Sequence, residues 1–84
     1  MNRSFNLTKY TYTDEGASYR VILGQTRDGL TKVMSIPKRW IEGDIVTFPT
    51  DKSRLLLRYE FFYRGKNRLK KEEEITPKDF PRIL

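Results

Sequence analysis

The chain contains no cysteine and no histidine. The first absence rules out a disulfide, so nothing covalent staples the fold. The second removes most zinc sites and nearly all of the usual acid–base and nucleophile–base pairs. Long apolar runs are also missing. No stretch approaches the roughly 20 residues of a membrane span. The opening Met1-Asn2-Arg3-Ser4-Phe5 has no uninterrupted apolar segment behind it, unlike a signal peptide. The expectation is therefore no membrane partner and a cytoplasmic location, or the host-cell interior for a viral protein. A Gly-rich phosphate loop is lacking as well. The carboxylates that would have to gather a divalent metal, Glu42, Asp44, Asp51 and Glu60, are scattered without a recognisable spacing and read as turn and surface acids. These absences predict a protein with no cofactor, no metal site, no catalytic residues and no enzymatic activity.

What remains is a short, basic, aromatic-rich chain. Its 84 residues make one domain. A chain of this size buries a small fraction of its surface, so its core is thin. A compact β-barrel or a homodimer would each bury more, and a monomer with a good core is the plain alternative. Lys and Arg number 17 against 11 Asp and Glu, a net charge of +6. That bias favours polyanionic partners: DNA, RNA or an acidic protein surface.

The charge is concentrated. Residues 52–71 hold eight cations (Lys52, Arg54, Arg58, Arg64, Lys66, Arg68, Lys70 and Lys71) and one acid, Glu60, leaving the rest of the chain slightly acidic. Such clustering is the electrostatic footprint of phosphate binding. Lys32, Lys38 and Arg39 form a second, smaller cluster. A solvated strand face accounts for the same residues without a partner.

β-forming residues dominate the pattern. Phe5 to Thr13 and Ser18 to Gln25 read as strands joined by a turn at residues 14 to 17. Asp28-Gly29 marks a second turn before a third strand, Leu30 to Ile36. Pro37 ends that strand, and "PKRWIEGD" has room for one helical turn, which Gly43 would close. Ile45 to Phe48 is a fourth strand, and Pro49 to Lys52 a third turn.

The clearest element is the fifth strand, "RLLLRYEFFYR", residues 54–64. Its odd positions, Leu55, Leu57, Tyr59, Phe61 and Tyr63, form a core face by period-two alternation. Arg58 and Arg64 lie on the opposite, basic face and are the expected phosphate contacts. Gly65 to Asn67 should break the strand, and "RLKKEEE" suits a charged helical turn. The tail should be short and irregular, with Thr76 as a cap and with Phe80, Ile83 and Leu84 packed back on the body. Off the apolar pattern stand Trp40 and Phe62, the candidates for base stacking or partner contact. The predicted architecture is all-β: five antiparallel strands in a barrel-like domain with an irregular or helical tail.

The stretch "DGLTKVMSIPKRW…GDIVTF…SRLLLRY" resembles the core of the AbrB-type swapped-hairpin DNA-binding family. Gly29, Ile36, Pro37, Lys38, Gly43, Asp44, Val46 and Leu55 to Leu57 match that pattern in order, over residues 27–59, well under half the chain. The resemblance implies a dimeric DNA-binding regulator of transcription or an antitoxin subunit. The chain departs from the family in the spacer, which here is only Lys38 to Glu42 and too short for the family's helix.

Two readings follow. In one, a non-enzymatic β-module binds nucleic acid, DNA foremost, through Arg54, Arg58, Arg64, Lys66, Arg68 and Lys70, extended by Lys32, Lys38 and Arg39. In the other, the protein is an interaction module, such as a viral or regulatory inhibitor. A β-edge or the Trp40 and Phe62 surface then docks on an acidic or nucleic-acid-binding protein.

Overall fold

The structure, a computed structural model, describes residues 4–50 and 52–79. Asp51 and the predicted packing of Phe80, Ile83 and Leu84 lie outside them. Among the described residues eight strands form where the sequence suggests five: β1 (Ser4–Asn6), β2 (Thr11–Asp14), β3 (Ser18–Gln25), β4 (Thr31–Pro37), β5 (Ile41–Glu42), β6 (Ile45–Thr47), β7 (Leu55–Tyr63) and β8 (Lys66–Ile75). They make two antiparallel sheets, one ordered β2-β3-β4-β7-β8 and the other β1-β6-β5. The protein is thus all-β, but the five-stranded sheet stays open at β2 and β8 instead of closing into a barrel.

Local chemistry explains the extra strands. The run Phe5 to Thr13 is divided by a 3₁₀ turn at Leu7–Lys9. The Asn6 side chain caps that turn, accepting from the Thr8 backbone N–H at 2.9 Å. Leu7 N–H donates to the Asp44 carbonyl at 2.8 Å, so β1 stays with β6 while β2 crosses to the large sheet. Pro37 leads into a single 3₁₀ turn, Lys38–Trp40, as the short spacer predicts. Gly43, read as a helix stop, instead sits at φ 62° in the tight turn joining β5 to β6.

Between β3 and β4, Thr26 N–H donates to the Leu30 carbonyl at 2.8 Å and Gly29 takes φ 86°. The Asp28-Gly29 signal therefore falls on a real turn.

Side chains of both sheets meet in one core. Val46, Phe48 and Leu7 come from the small sheet and its flanks, and Val21, Met34, Ile36, Leu55, Leu57 and Ile75 from the large one. Trp40 packs onto this cluster, its ring centroid 5.4 Å from that of Phe48. The exposed tryptophan expected from the sequence is instead half-buried, beside a shallow open cleft that it lines with Arg39, Ile41, Glu42, Thr47 and Pro49.

The largest departure follows β7. "RLKKEEE" continues as strand β8, not as a helical turn, and pairs antiparallel with β7 along its whole length. Arg64 and Gly65 form a two-residue hairpin turn with φ 52° and 79°. Positive φ at both central positions is the signature of the type I′ turn, whose twist matches that of its strands. β4 pairs with β7 only between Leu57 and Glu60. Beyond Glu60 no third strand among the described residues lies beside the β7–β8 ribbon, and the molecule measures 40 × 25 × 20 Å. Phe61 and Tyr63, placed in the core by their alternation, are half-buried and exposed for that reason. No helix among the described residues is long and apolar enough to cross a membrane.

Candidate nucleic-acid interface

Residues 61–71 carry Arg64, Lys66, Arg68, Lys70 and Lys71 and no acid. All five cations are exposed. The register sorts this segment into two faces. On the face continuous with the core side, Tyr59 lies opposite Lys71, Phe61 opposite Arg68, and Tyr63 opposite Lys66. One strand thus presents a row of rings and its neighbour a row of cations. Cation–π contacts link rings and cations, in register at Tyr59 and from Arg68, opposite Phe61, and the neighbouring Arg64 at Tyr63. Lys71 Nζ stands 4.6 Å from the Tyr59 ring centroid, and the Arg64 and Arg68 guanidinium carbons stand 5.2 and 5.9 Å from that of Tyr63. The Phe61 and Tyr63 centroids are 6.4 Å apart.

A β-bulge builds this arrangement. Tyr59 pairs with Lys71 and Glu60 with Leu69, leaving Lys70 as the extra residue of β8. Side chains of β8 change phase across it. Lys71 below the bulge and Arg68 and Lys66 above it therefore share a face despite their uneven spacing. The opposite face carries Phe62, 72% exposed, with Leu56 and Leu69 at 49% and 43%.

The other predicted cations divide. Lys32 lies opposite Tyr59 on β4, at the base of the ribbon, and adds to the same face. The β3–β4 turn also comes near. Asp28 is held below the usual carboxylate range by its hydrogen bond from Thr26 and more weakly by Lys71 and Lys70. Arg54 is committed to Glu74 at 2.9 Å.

Arg58 is not a free strand-face cation. It lies half-buried against Glu60, its Nε 3.7 Å from Oε2 and without a hydrogen-bond partner. Arg64 belongs to the turn, so the expected Arg58–Arg64 pair on one strand face does not exist. Lys38 donates to Asp14 at 2.7 and 2.8 Å and stands 4.9 Å from the Tyr19 ring. With exposed Arg39 and with Trp40 it sits past the far end of β4, about 20 Å from the ribbon at the usual rise per residue. The structure thus gathers Arg64, Lys66, Arg68, Lys70, Lys32 and Phe62 at one end and separates Arg54, Arg58, Lys38, Arg39 and Trp40 from them. Sequence reasoning left out Phe61, Tyr63 and Tyr59 as contact residues; Gly65 was only a partial signal of the hairpin turn that carries the first two away from the core.

Glu60, read as a surface acid, is 5% exposed. Arg20 on β3 reaches across β4 and donates to both of its oxygens, at 2.5 and 3.2 Å. Val33, buried, lies between them in the register, opposite Ile22 on one side and Arg58 on the other. The Arg20 hydrogen bond outweighs desolvation and holds the Glu60 carboxyl below its ordinary range. The same bond holds the Arg20 guanidinium above its own. This pair fastens three strands where the ribbon leaves the sheet.

Compared with protein-family models, with curated proteins and with solved structures, the chain matches none.

Proposed function

We propose that the protein binds nucleic acid through the distal β7–β8 ribbon and performs no catalysis. The observation that carries this is the ribbon itself: an arm free of the core with five exposed cations and no acid between residues 61 and 71. A two-stranded ribbon is narrow enough to follow a groove or a single strand. Its cations would replace condensed counterions, so binding should be strongly salt-dependent. The resemblance of residues 27–59 to a DNA-binding family adds support from outside the ribbon, and regulation of transcription is the role it suggests.

The test is titration of a labelled generic oligonucleotide over a salt series. About four to five phosphate contacts predict a slope of log K against log salt of roughly −3 to −5. Neutralising Arg64, Lys66 and Arg68 together should lower its magnitude by about two to three. An unchanged slope in that triple variant would overturn the assignment.

A second reading is favoured by the outer face, where Phe62 and Leu69 are exposed near one another. Wild-type protein that ignores every polyanion at low salt would point to a protein partner docking there.

A further inference from the structure

We infer that the inner face of the ribbon is a platform for single-stranded nucleic acid, with bases on the row Tyr59, Phe61 and Tyr63 and phosphates on the row Lys71, Arg68 and Lys66. This rests on the nucleic-acid reading above and narrows it to a substrate class.

Successive rings stand two residues apart on one strand, about 7 Å at the usual rise, with a cation opposite each. A duplex offers this row little. Its base faces are sealed within the stack, and its grooves present base edges, thymine methyls and phosphates, so three rings would find no open base face to stack on there. A single strand exposes a π-face at every base, and stacking is indifferent to sequence. Parallel rows of rings and cations suit a polymer that repeats base and phosphate side by side.

The rings are graded in position. Tyr59 packs against the core and its hydroxyl donates to Glu73 at 3.2 Å, which fixes the inner end of the row. Tyr63 is 50% exposed at the outer end. In the free protein, cations lie over both rings. An arriving base takes the ring face, and the displaced cation turns to the adjoining phosphate. Lys32, opposite Tyr59 on β4, flanks that ring on the side away from Lys71. The outer face has Phe62 and Leu69 with Asn67 and lacks the facing row of charge.

The experiment is fluorescence anisotropy at low salt, with wild type, Tyr63→Ala and, as an outer-face control, Phe62→Ala. Three probes are used: a labelled single strand of about 16 nucleotides as DNA, the same strand as RNA, and the blunt duplex of the DNA. Both substituted positions lie beyond the β4 pairing, and far-ultraviolet circular dichroism checks that the variants keep their fold.

At least one single strand should bind tenfold or more tightly than the duplex, and the tighter of the two names the polymer. Tyr63→Ala should weaken single-strand binding roughly 5- to 150-fold and leave the duplex unaffected, while Phe62→Ala changes neither. Duplex bound as tightly as both single strands, a Tyr63→Ala variant with intact affinity, or a loss as large in Phe62→Ala would each overturn the inner-face platform while leaving nucleic-acid binding standing. No binding of any probe at low salt overturns both.

Discussion

The two ends of β7 are built from similar residues and do different work. Leu55, Leu57 and Tyr59 at one end and Phe61 and Tyr63 at the other share one face of one strand. Below Glu60 that face is covered by the small sheet and flanked by β4, so Leu55 and Leu57 are buried. Above it β4 has ended, and the same alternation holds Tyr63 out in water. Alternation sets which side a residue faces; whether that side is a core depends on which elements reach it. The proximal half of the hairpin is held by β4 along one edge and by the small sheet over one face. The distal half is held by its own ladder and its turn.

The contrast is sharpest under truncation. Leu57→Ala should destabilise the protein by about 2–5 kcal/mol, enough to unfold so small a domain. Tyr63→Ala, on the same face six residues on, should stay within about 0.5 kcal/mol. Thermal or urea unfolding measures both. Equal losses would mean that the ribbon is packed against the body after all.

Next in size is the Arg20–Glu60 pair at the junction. Glu60→Gln removes the charge that Arg20 and Arg58 enclose, and should cost about 3 kcal/mol, the low end for a buried pair because Arg20 keeps some contact with water. A carboxyl whose folded pKa is depressed contributes fully above its unfolded value, about 4.3, and loses that contribution as the pH falls through the folded value. Wild type should therefore weaken on acidification below about pH 4.3, and Glu60→Gln should flatten part of that slope. The exposed Asp14 and Asp28 are also depressed, Asp14 mainly by Lys38 and Asp28 by Thr26, and keep a residual slope of the same sign. Unfolding at pH 7 and pH 3 separates the contributions.

The smallest effect belongs to the tip. Gly65→Ala puts a β-carbon at φ 79° and should cost about 1 kcal/mol. Arg64 already bears a share of that strain at φ 52°. Arg64→Asn, better suited to positive φ, should stabilise the hairpin by a few tenths of a kcal/mol. Hydrogen exchange confined to residues 61–69 should report both changes while the core amides stay the same. If the Asn variant exchanges faster, the arginine earns its place through contacts with Tyr63 and not in spite of the backbone.

Much of the fold was readable in advance because its signals are local. Asp28-Gly29 and Pro37 punctuate the chain where the structure turns, and the alternation of residues 55–59 matches its burial. Three features lay outside such reach. Lys70, Lys71 and the glutamates after them pair favourably at helical spacing as well as across strands, so their charges alone do not choose between helix and β8. Arg64-Gly65 lacks the Asn or Asp that usually announces a two-residue hairpin, although Gly65 supplies half of the geometry. Glu60 gave no sign of burial, because Arg20, 40 positions earlier, neutralises it only once β3, β4 and β7 are assembled. The concentration of charge in residues 52–71 was visible, but its division into paired cations near the core and exposed ones on the arm needed the register.

The bulge at Lys70 has a bearing on self-association. β8 is the longest strand among the described residues, and no other described strand pairs with its outer edge, a kind of edge that invites another strand. Charge deters a parallel copy, because like residues would meet. It deters an antiparallel one less, because Lys66 and Arg68 could then face Glu74 and Glu72. What stands in the way is the single extra residue, which breaks the straight ladder where the two charge blocks meet and twists the edge away from a flat partner. The irregularity that sets which side chains share a face of the ribbon also interrupts the straight edge on which a further strand would have to build.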